Sequence, residues 1–204
     1  MIEVTLFQIV ILIFSVVVHE VSHGMIAYKL GDQTAKLQGR LTLNPLKHLD
    51  PIGSFIVPLV LILLPGDFVF GWAKPVPYNP YNLKDPKKGG GLIAAAGPLS
   101  NFAIAAIFGI VLKLVSISNF GNELLFTAFH YIIWINLLLA VFNLVPIPPL
   151  DGSKVLYALL PESSKANQIM KSLEMYSLPI LFIFLVFGFR LILPIVDALY
   201  SLIT

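Results

Sequence analysis

Long apolar stretches separated by short polar ones dominate the chain. The apolar stretches lie at residues 4–30, 52–64, 92–115, 124–145 and 178–195. A helix of roughly 17 to 25 apolar residues crosses the hydrocarbon core of a bilayer, so four of these stretches are long enough. The stretch 52–64 is shorter and contains Pro58, which favours a re-entrant segment. The pattern predicts an all-α polytopic integral membrane protein with about four to six membrane segments.

Two of the polar stretches indicate strands. In residues 36–43, leucines alternate with Gln, Arg and Thr, which is the two-residue period of a strand. Residues 71–81 contain three prolines and are expected to be extended. Together they predict a small β-sheet at the membrane edge. Because no repeat or flexible linker divides the chain, residues 1–204 are expected to form a single transmembrane domain.

Composition and charge support a membrane protein and give its orientation. Hydrophobic residues make up 57% of the chain and charged residues 12%, about half the usual charged share. Without cysteine, thiolate ligands and cysteine nucleophiles are excluded. The net charge of +2 gives no support to a nucleic-acid partner. Basic residues concentrate at 29–47, 74–88 and 154–171, so these stretches are predicted to be cytoplasmic and the turn near Glu123 external.

A cluster of ionisable residues interrupts the first apolar stretch. His19, Glu20 and His23 follow the pattern His-Glu-x-x-His. Residues four apart share one helix face, so both imidazoles can reach one ion while Glu20 stands beside them to accept a proton. Imidazole ligands suit Zn²⁺, and a hydrolytic site leaves one coordination position to water. Since ionisable groups at membrane depth are costly unless paired or functional, the cluster predicts a site for one zinc ion with Glu20 as general base.

Asp151 is the strongest candidate for a third ligand. Most other acidic residues lie in connecting stretches, where solvation explains them. Asp151 follows a proline-rich run directly after a predicted transmembrane helix, and irregular backbone at membrane depth is tolerated only inside protein or beside a water-filled cavity. If residues 52–64 crossed the membrane fully, Asp151 would lie on the opposite side from His19 and His23. The ligand set and the positive-inside rule therefore both require a re-entrant segment there.

Three motifs together resemble the site-2 protease family of intramembrane zinc metalloproteases. They are the His-Glu-x-x-His pattern, the Gly-Pro-Leu-Ser-Asn segment at 97–101, and the run 143–152 that ends in Leu-Asp-Gly. The resemblance extends to about residue 155. It implies a three-helix catalytic core around His23, Ser100 and Asn136, in a minimal form of the family without PDZ or CBS domains.

The resemblance also implies the chemistry and its setting. His19, His23 and Asp151 carry over as ligands of one Zn²⁺ and Glu20 as general base, while Asn143 matches a position that helps to hold the substrate near the metal. Such a protein hydrolyses peptide bonds within or near transmembrane segments of membrane proteins, as in regulated intramembrane proteolysis. We expect a single-pass membrane protein as substrate, and a multi-pass protein of the cell membrane whose active site faces the cytoplasm.

Other readings stay open at this point. A zinc-binding membrane transporter or sensor would use the same ligands without needing Glu20 as a base. Gly97 and Asn101, four residues apart, indicate close helix packing by default, and the resemblance places Asn101 in the core without making it catalytic. We also expect the predicted strand at 36–43 to pair with an unwound substrate, although a strand that only closes a loop explains the same pattern.

Overall fold

The computed structural model describes residues 2–63, 71–118 and 121–204, and this part of the chain is helical. Four helical stretches, Glu3–Lys29, Pro86–Ser118, Glu123–Asn143 and Ser177–Ile203, are long and apolar enough to cross a membrane. The prediction of a helical multi-pass membrane protein is therefore confirmed. The helices are α1 (Ile2–Lys29), α2 (Thr34–Leu37), α3 (Val57–Leu63), α4 (Pro86–Ser118), α5 (Glu123–Asn143), α6 (Asp151–Leu159), α7 (Ser164–Met175), α8 (Ser177–Ile183) and α9 (Phe189–Ile203).

Capping residues set several of the helix boundaries. The side chain of Asn122 accepts a hydrogen bond from the Leu125 amide at 2.9 Å and begins α5. Ser163 does the same for α7. Asp85 accepts from the Lys88 amide at 2.9 Å, directly before a proline that occupies the first position of α4. Such residues satisfy backbone amides that have no partner within the helix, so the sequence itself specifies where these helices start.

The long helices pack around α4. It contacts α1, α5, α6 and α9, while α5 also packs against α1 and α9. A buried cluster from α4, α5 and α9 forms the core and contains Ala105, Ile133, Leu137, Val141, Ile192 and Val196. Gly91 lets α6 approach closely, because a Cβ there would lie 2.2 Å from the Ala158 Cβ. The end of α1, the start of α4 and the end of α5 consequently lie at the same end of the bundle.

The predicted re-entrant stretch is helical as far as it is described. A π-helical turn at Ile52–Ile56 continues directly into α3, and residue 64 lies outside the described residues. The Trp72 amide donates to the Gly53 carbonyl at 3.1 Å, and the Ser54 hydroxyl donates to the Trp72 carbonyl at 2.9 Å. Residues 53 and 72 are therefore neighbours in space.

The predicted β-sheet is wrong, since the ranges that the structure describes contain no strand. Residues 36–43 form the end of α2 and a turn in which Gly39 has a φ of +62°. The alternation does not mark a buried face either, because Leu37 is 80% and Leu43 60% exposed while Arg40 is 6% exposed. The Arg40 guanidinium turns inward to donate to the carbonyls of Lys74 and Pro75, at 2.7 and 3.3 Å. A strand at 36–43 that pairs with substrate is likewise wrong.

Residues 71–79, here called the strap, have no regular secondary structure and do not pair as a strand. Their amides bond to scattered partners instead of to a ladder. The amides of Trp72 and Lys74 donate hydrogen bonds to the carbonyls of Gly53 and His48, respectively. The amides of Val76 and Asn79 donate to the carboxylates of Glu20 and Asp32, respectively. Prolines at 75 and 77 have no amide hydrogen to donate. A regular ladder is therefore impossible, and the strap runs across the end of α1.

Candidate active site

Three side chains converge between α1 and α6 in the geometry of a metal site. One oxygen of Asp151, Oδ2, lies 3.1 Å from His19 Nε2 and 3.2 Å from His23 Nε2. The three ligand atoms all lie within 4.8 Å of one another, and both histidines are buried. His23 and His19 are six and ten residues before the end of α1, which places them about 9 and 15 Å along the helix from that end.

Gly97 on α4 leaves the space beside these atoms. A Cβ at this position would lie 2.5 Å from both His19 Nε2 and His23 Nε2, closer than carbon and nitrogen atoms can approach. Any side chain at residue 97 would therefore fill the place toward which the ligand atoms point. Gly97 was expected to serve helix packing, and the structure shows that it also borders the cluster.

Each imidazole is held through its other nitrogen. His19 Nδ1 lies 2.6 Å from Asn101 Oδ1, and His23 Nδ1 lies 2.6 Å from the Ile93 carbonyl oxygen. Oxygens of this kind only accept hydrogen bonds, so each Nδ1 carries the hydrogen and each Nε2 presents a lone pair to the centre of the cluster. The rings stand edge to face, with centroids 4.6 Å apart and planes at 87°.

Asp151 reaches the histidines because of how α6 begins. The carboxylate is on the first residue of α6, after seven residues that include a cis bond between Pro148 and Pro149. Gly152 packs so closely on the end of α5 that a Cβ there would lie 2.1 Å from the Leu144 carbonyl oxygen. A larger residue at 152 would therefore push the start of α6, and Asp151 with it, away from α1.

Glu20 lies beside the metal-binding cluster and is half-buried. Its Oε2 accepts a hydrogen bond from the Val76 amide at 2.7 Å. The strap thus fixes the carboxylate that the sequence predicted as general base. The sequence offered no signal for this contact, because a backbone amide is present at almost every residue.

Asp32 anchors the far end of the strap. It is fully buried and accepts hydrogen bonds from the amides of Thr34 and Asn79, the Thr34 hydroxyl and the Asn82 side chain. Burial alone would raise the pKa of Asp32, but the hydrogen bonds from these residues outweigh it and lower the pKa below its ordinary value. Asp32 therefore stays ionised and holds the strap against the end of α1.

Asn143, the fifth predicted site residue, ends α5 and is half-buried. Its side-chain amide donates to the Leu139 carbonyl at 2.9 Å. The structure thus brings His19, His23 and Asp151 together with Glu20 next to them, while Asn143 bonds within its own helix. The resemblance placed Asn101 and Asn136 in the core without a role toward the ligands, and Ser15 was missed. Ser15 carried a signal, since it is a polar residue four positions from His19 in an apolar helix.

Buried imidazoles and a carboxylate with an adjacent glutamate, on helices long enough to span a bilayer, define a membrane-embedded metallohydrolase site. The family model of Peptidase family M50 matches residues 114–188.

Relatives agree with this class. The protein named "Putative zinc metalloprotease YwhC" of Bacillus subtilis (strain 168) is 46% identical over 169 residues, covering 79% of this chain and 72% of that protein. "Putative zinc metalloprotease Rip2" of Mycobacterium tuberculosis (strain ATCC 25618 / H37Rv) is 30% identical over 178 residues, covering 83% and 63%. "Zinc metalloprotease MJ0392" of Methanocaldococcus jannaschii is 31% identical over 163 residues, covering 80% and 36%. No solved structure gives a significant match.

The chain therefore belongs to peptidase family M50, the site-2 protease family of intramembrane zinc metalloproteases. The resemblance seen in the sequence motifs is confirmed. The protein is a multi-pass membrane metalloprotease whose cofactor is Zn²⁺, and the reading as a transporter or sensor is not favoured. The family acts on membrane proteins within the bilayer.

Proposed function

We propose that this chain hydrolyses peptide bonds within or near transmembrane segments, with His19, His23 and Asp151 holding one Zn²⁺ and Glu20 as general base. The observation that carries the proposal is the convergence of two imidazole nitrogens and one carboxylate oxygen beside Gly97. Three protein ligands of these types leave a fourth position for water or substrate.

The donor set fits zinc. Both Nδ1 atoms face oxygen acceptors, which leaves the Nε2 lone pairs to the ion, and the carboxylate of Asp151 adds a negative oxygen ligand. Zinc bound there supplies Lewis-acid chemistry, since it lowers the pKa of water and polarises a carbonyl.

Glu20 carries the proton. The Val76 amide holds Oε2, so Oε1 is the atom available to react. Oε1 takes a proton from the attacking water while the new carbon–oxygen bond forms at the scissile carbonyl. It then gives that proton to the amide nitrogen as the carbon–nitrogen bond breaks, and the carboxylate is restored for the next turnover.

Asn143 holds the substrate in this proposal. One hydrogen of its side-chain amide is used by the Leu139 carbonyl, and the amide carries a second hydrogen. That hydrogen is available for a backbone carbonyl of the bound segment. The position at the end of α5, eight residues before Asp151, supports this role.

The substrate we propose is a single-pass membrane protein. A helical backbone hides its carbonyls in its own hydrogen bonds, so cleavage requires local unwinding. Inside hydrocarbon an unwound backbone needs new partners for its polar groups. A lone transmembrane helix has no neighbouring helices of its own chain that would resist this change.

We further propose that residues 52–64 are re-entrant and that the site faces the cytoplasm of the cell membrane. The hydrogen bonds that join residues 53 and 54 to residue 72 support the re-entrant segment, because they bring the chain before α3 next to the chain after it. The charges support the cytoplasmic orientation of the site. All Lys and Arg residues except Lys113 and Arg190 lie in or next to the connections at the site's end of the bundle, as the positive-inside rule requires.

Replacement of the base tests the reaction. Purified chain 1–204, reconstituted in vesicles with a single-pass substrate, is expected to cleave it if these residues form a complete protease domain. Glu20→Gln should retain zinc and lose cleavage, while Asp151→Asn should weaken zinc retention. Glu162→Gln, the same change at an exposed residue, is the matched control and should cleave normally. Cleavage by Glu20→Gln would exclude the proposed mechanism. If Glu20→Gln lost zinc as well as cleavage, the loss of cleavage could not be assigned to the base, and a transporter or sensor would still explain the site.

Introduced cysteines test the orientation. The chain has no native cysteine, so single replacements such as Glu162→Cys and Glu123→Cys can be labelled without background. With a membrane-impermeant maleimide added to intact cells, Glu123→Cys should react and Glu162→Cys should react only after lysis. The opposite pattern would place the site on the external side.

A further inference from the structure

Three polar side chains lie buried between the membrane-spanning helices behind His19. Ser15 on α1, Asn101 on α4 and Asn136 on α5 are 4%, 0% and 0% exposed. A buried amide or hydroxyl is costly unless it is hydrogen-bonded, and apolar residues would pack these helices as well. Their presence together at the back of one metal ligand calls for a chemical reason.

The side-chain amide of Asn136 can have only one orientation. Its Nδ2 lies 2.8 Å from the Ile132 carbonyl oxygen and 2.9 Å from the Ser15 hydroxyl. A backbone carbonyl cannot donate, so the nitrogen of the amide must face it. The oxygen of Asn136 therefore faces Asn101.

The orientation of Asn101 follows from that of Asn136. Asn101 Nδ2 lies 2.9 Å from Asn136 Oδ1 and 3.3 Å from the Ser15 backbone carbonyl. Both of these atoms only accept, so the nitrogen of Asn101 is fixed toward them and its oxygen toward His19. Two backbone carbonyls, those of Ile132 and Ser15, thus determine the orientation of both side-chain amides.

The same chain of bonds determines the tautomer of His19. Asn101 Oδ1 can only accept, and it lies 2.6 Å from His19 Nδ1. The hydrogen is consequently on Nδ1, and Nε2 offers its lone pair at the cluster with His23 and Asp151.

We propose that Asn101 is a positioning residue for the metal, with Asn136 and Ser15 fixing its orientation. Asn101 holds His19 in the rotamer and tautomer that binds zinc through Nε2. This inference rests on the proposed function, because it assigns a role toward the ion that His19, His23 and Asp151 hold. Partners of this kind typically change metal affinity by 10- to 100-fold when removed.

A purely structural role predicts a different outcome. Side-chain hydrogen bonds between helices hold membrane proteins together. If that were the whole role, Asn101→Leu and Asn136→Leu would lower the melting temperature of the metal-free protein and leave zinc affinity unchanged. Positioning predicts that zinc affinity falls most when the contact to His19 is lost and less when only its support is lost.

The test is a zinc titration against a competing chelator on purified full chain. Asn101→Leu should bind zinc roughly 10- to 100-fold more weakly, and Asn136→Leu should weaken binding by less. Asn101→Asp keeps an acceptor for His19 Nδ1 but sets its second oxygen against the Asn136 Oδ1 and Ser15 carbonyl acceptors. It should therefore bind zinc more tightly than Asn101→Leu while melting at a lower temperature than the unchanged protein. Melting temperatures of the metal-free variants are measured in parallel, so that a change in folding is seen separately.

The outcomes are distinguishable. If the unchanged protein binds no zinc, the proposed function fails and this inference falls with it. If it binds zinc and folded Asn101→Leu binds equally tightly, only the inference is overturned. If Asn101→Leu does not fold, nitrogen NMR of the zinc-loaded unchanged protein decides, with the His19 signals identified by their loss in His19→Gln. A hydrogen on Nδ1 with the metal on Nε2 supports the inference, and the reverse arrangement overturns it.

Discussion

The two sides of the metal-binding cluster are held together by opposite means. On the helix side, polar side chains of α1, α4 and α5 bond to one another behind His19. On the strap side, backbone amides bond to the carboxylates of Glu20 and Asp32. The helix side is rigid because long packed helices carry it, whereas the strap depends on a few separate hydrogen bonds.

The difference separates two functions. The helix side borders the proposed metal ligands, so changes there should act on zinc. The strap bonds to Glu20, the proposed general base, so changes there should act on turnover or folding while zinc is retained. Four measurements test this division, from the largest expected effect to the smallest.

Gly97→Ala should abolish zinc binding. Its methyl group would lie 2.5 Å from both Nε2 atoms, and α4 cannot withdraw because α1, α5 and α6 pack against it. Metal content of the purified protein measures the effect. Gly90→Ala is the matched control, since a Cβ there meets nothing closer than the Tyr78 hydroxyl at 3.5 Å. Full zinc content in Gly97→Ala would show that the helix side is not rigid.

Asp32→Asn should destabilise the protein and leave its zinc content unchanged. The amide places a donor where a buried carboxylate accepts hydrogen bonds from Thr34, Asn79 and Asn82. Loss of such bonds lowers the free energy of unfolding by roughly 1–3 kcal/mol, measured by denaturation in detergent. Asp85→Asn serves as control, because asparagine caps a helix as well as aspartate does. Zinc loss at Asp32→Asn would mean that the strap also supports the ligands.

Val76→Pro should slow turnover roughly tenfold, as expected for loss of one hydrogen bond to a charged group. Proline lacks the amide hydrogen that reaches Glu20, and it would stand between two existing prolines. Val76→Ala keeps the amide and is the control. The ratio of kcat between the two variants, at equal zinc content, measures the contribution of the bond. Equal kcat values for the two variants would show that the strap does not contribute to catalysis.

Acidification should release the strap only at low pH. The pKa of Asp32 is lowered in the folded protein, so its contribution to stability is complete above the unfolded pKa of about 3.9 and is lost as pH falls through the folded value. The difference in unfolding free energy between the unchanged protein and Asp32→Asn should therefore be constant from pH 5 to 8. It should shrink below about pH 4. A difference that varies near neutral pH would contradict this assignment.

The sequence carried enough information to predict which side chains converge in the metal-binding cluster. His19 and His23 are separated by one helical turn, so a helix alone brings them together. Asp151 followed from its place after a proline-rich helix end and from the topology. The supporting contacts of His23 and Glu20 were not predictable, because Ile93 and Val76 provide backbone atoms and backbone atoms have no sequence signature.

The predicted sheet failed because residues 36–43 form the end of a short helix and a turn. The two-residue alternation at 36–43 was interpreted as if apolar residues face the protein interior. In this chain Leu37 and Leu43 face outward while Arg40 is buried. The buried guanidinium of Arg40 bonds to carbonyls of the strap. Exposed leucines are common on protein surfaces, so the alternation did not identify a strand here.

The missing side chain of Gly97 also has a consequence for inhibitor design. Because α4 passes within one methyl group of both Nε2 atoms, no group larger than an ion fits between that helix and the histidines. A metal-chelating compound must therefore reach the cluster from a direction other than that of α4.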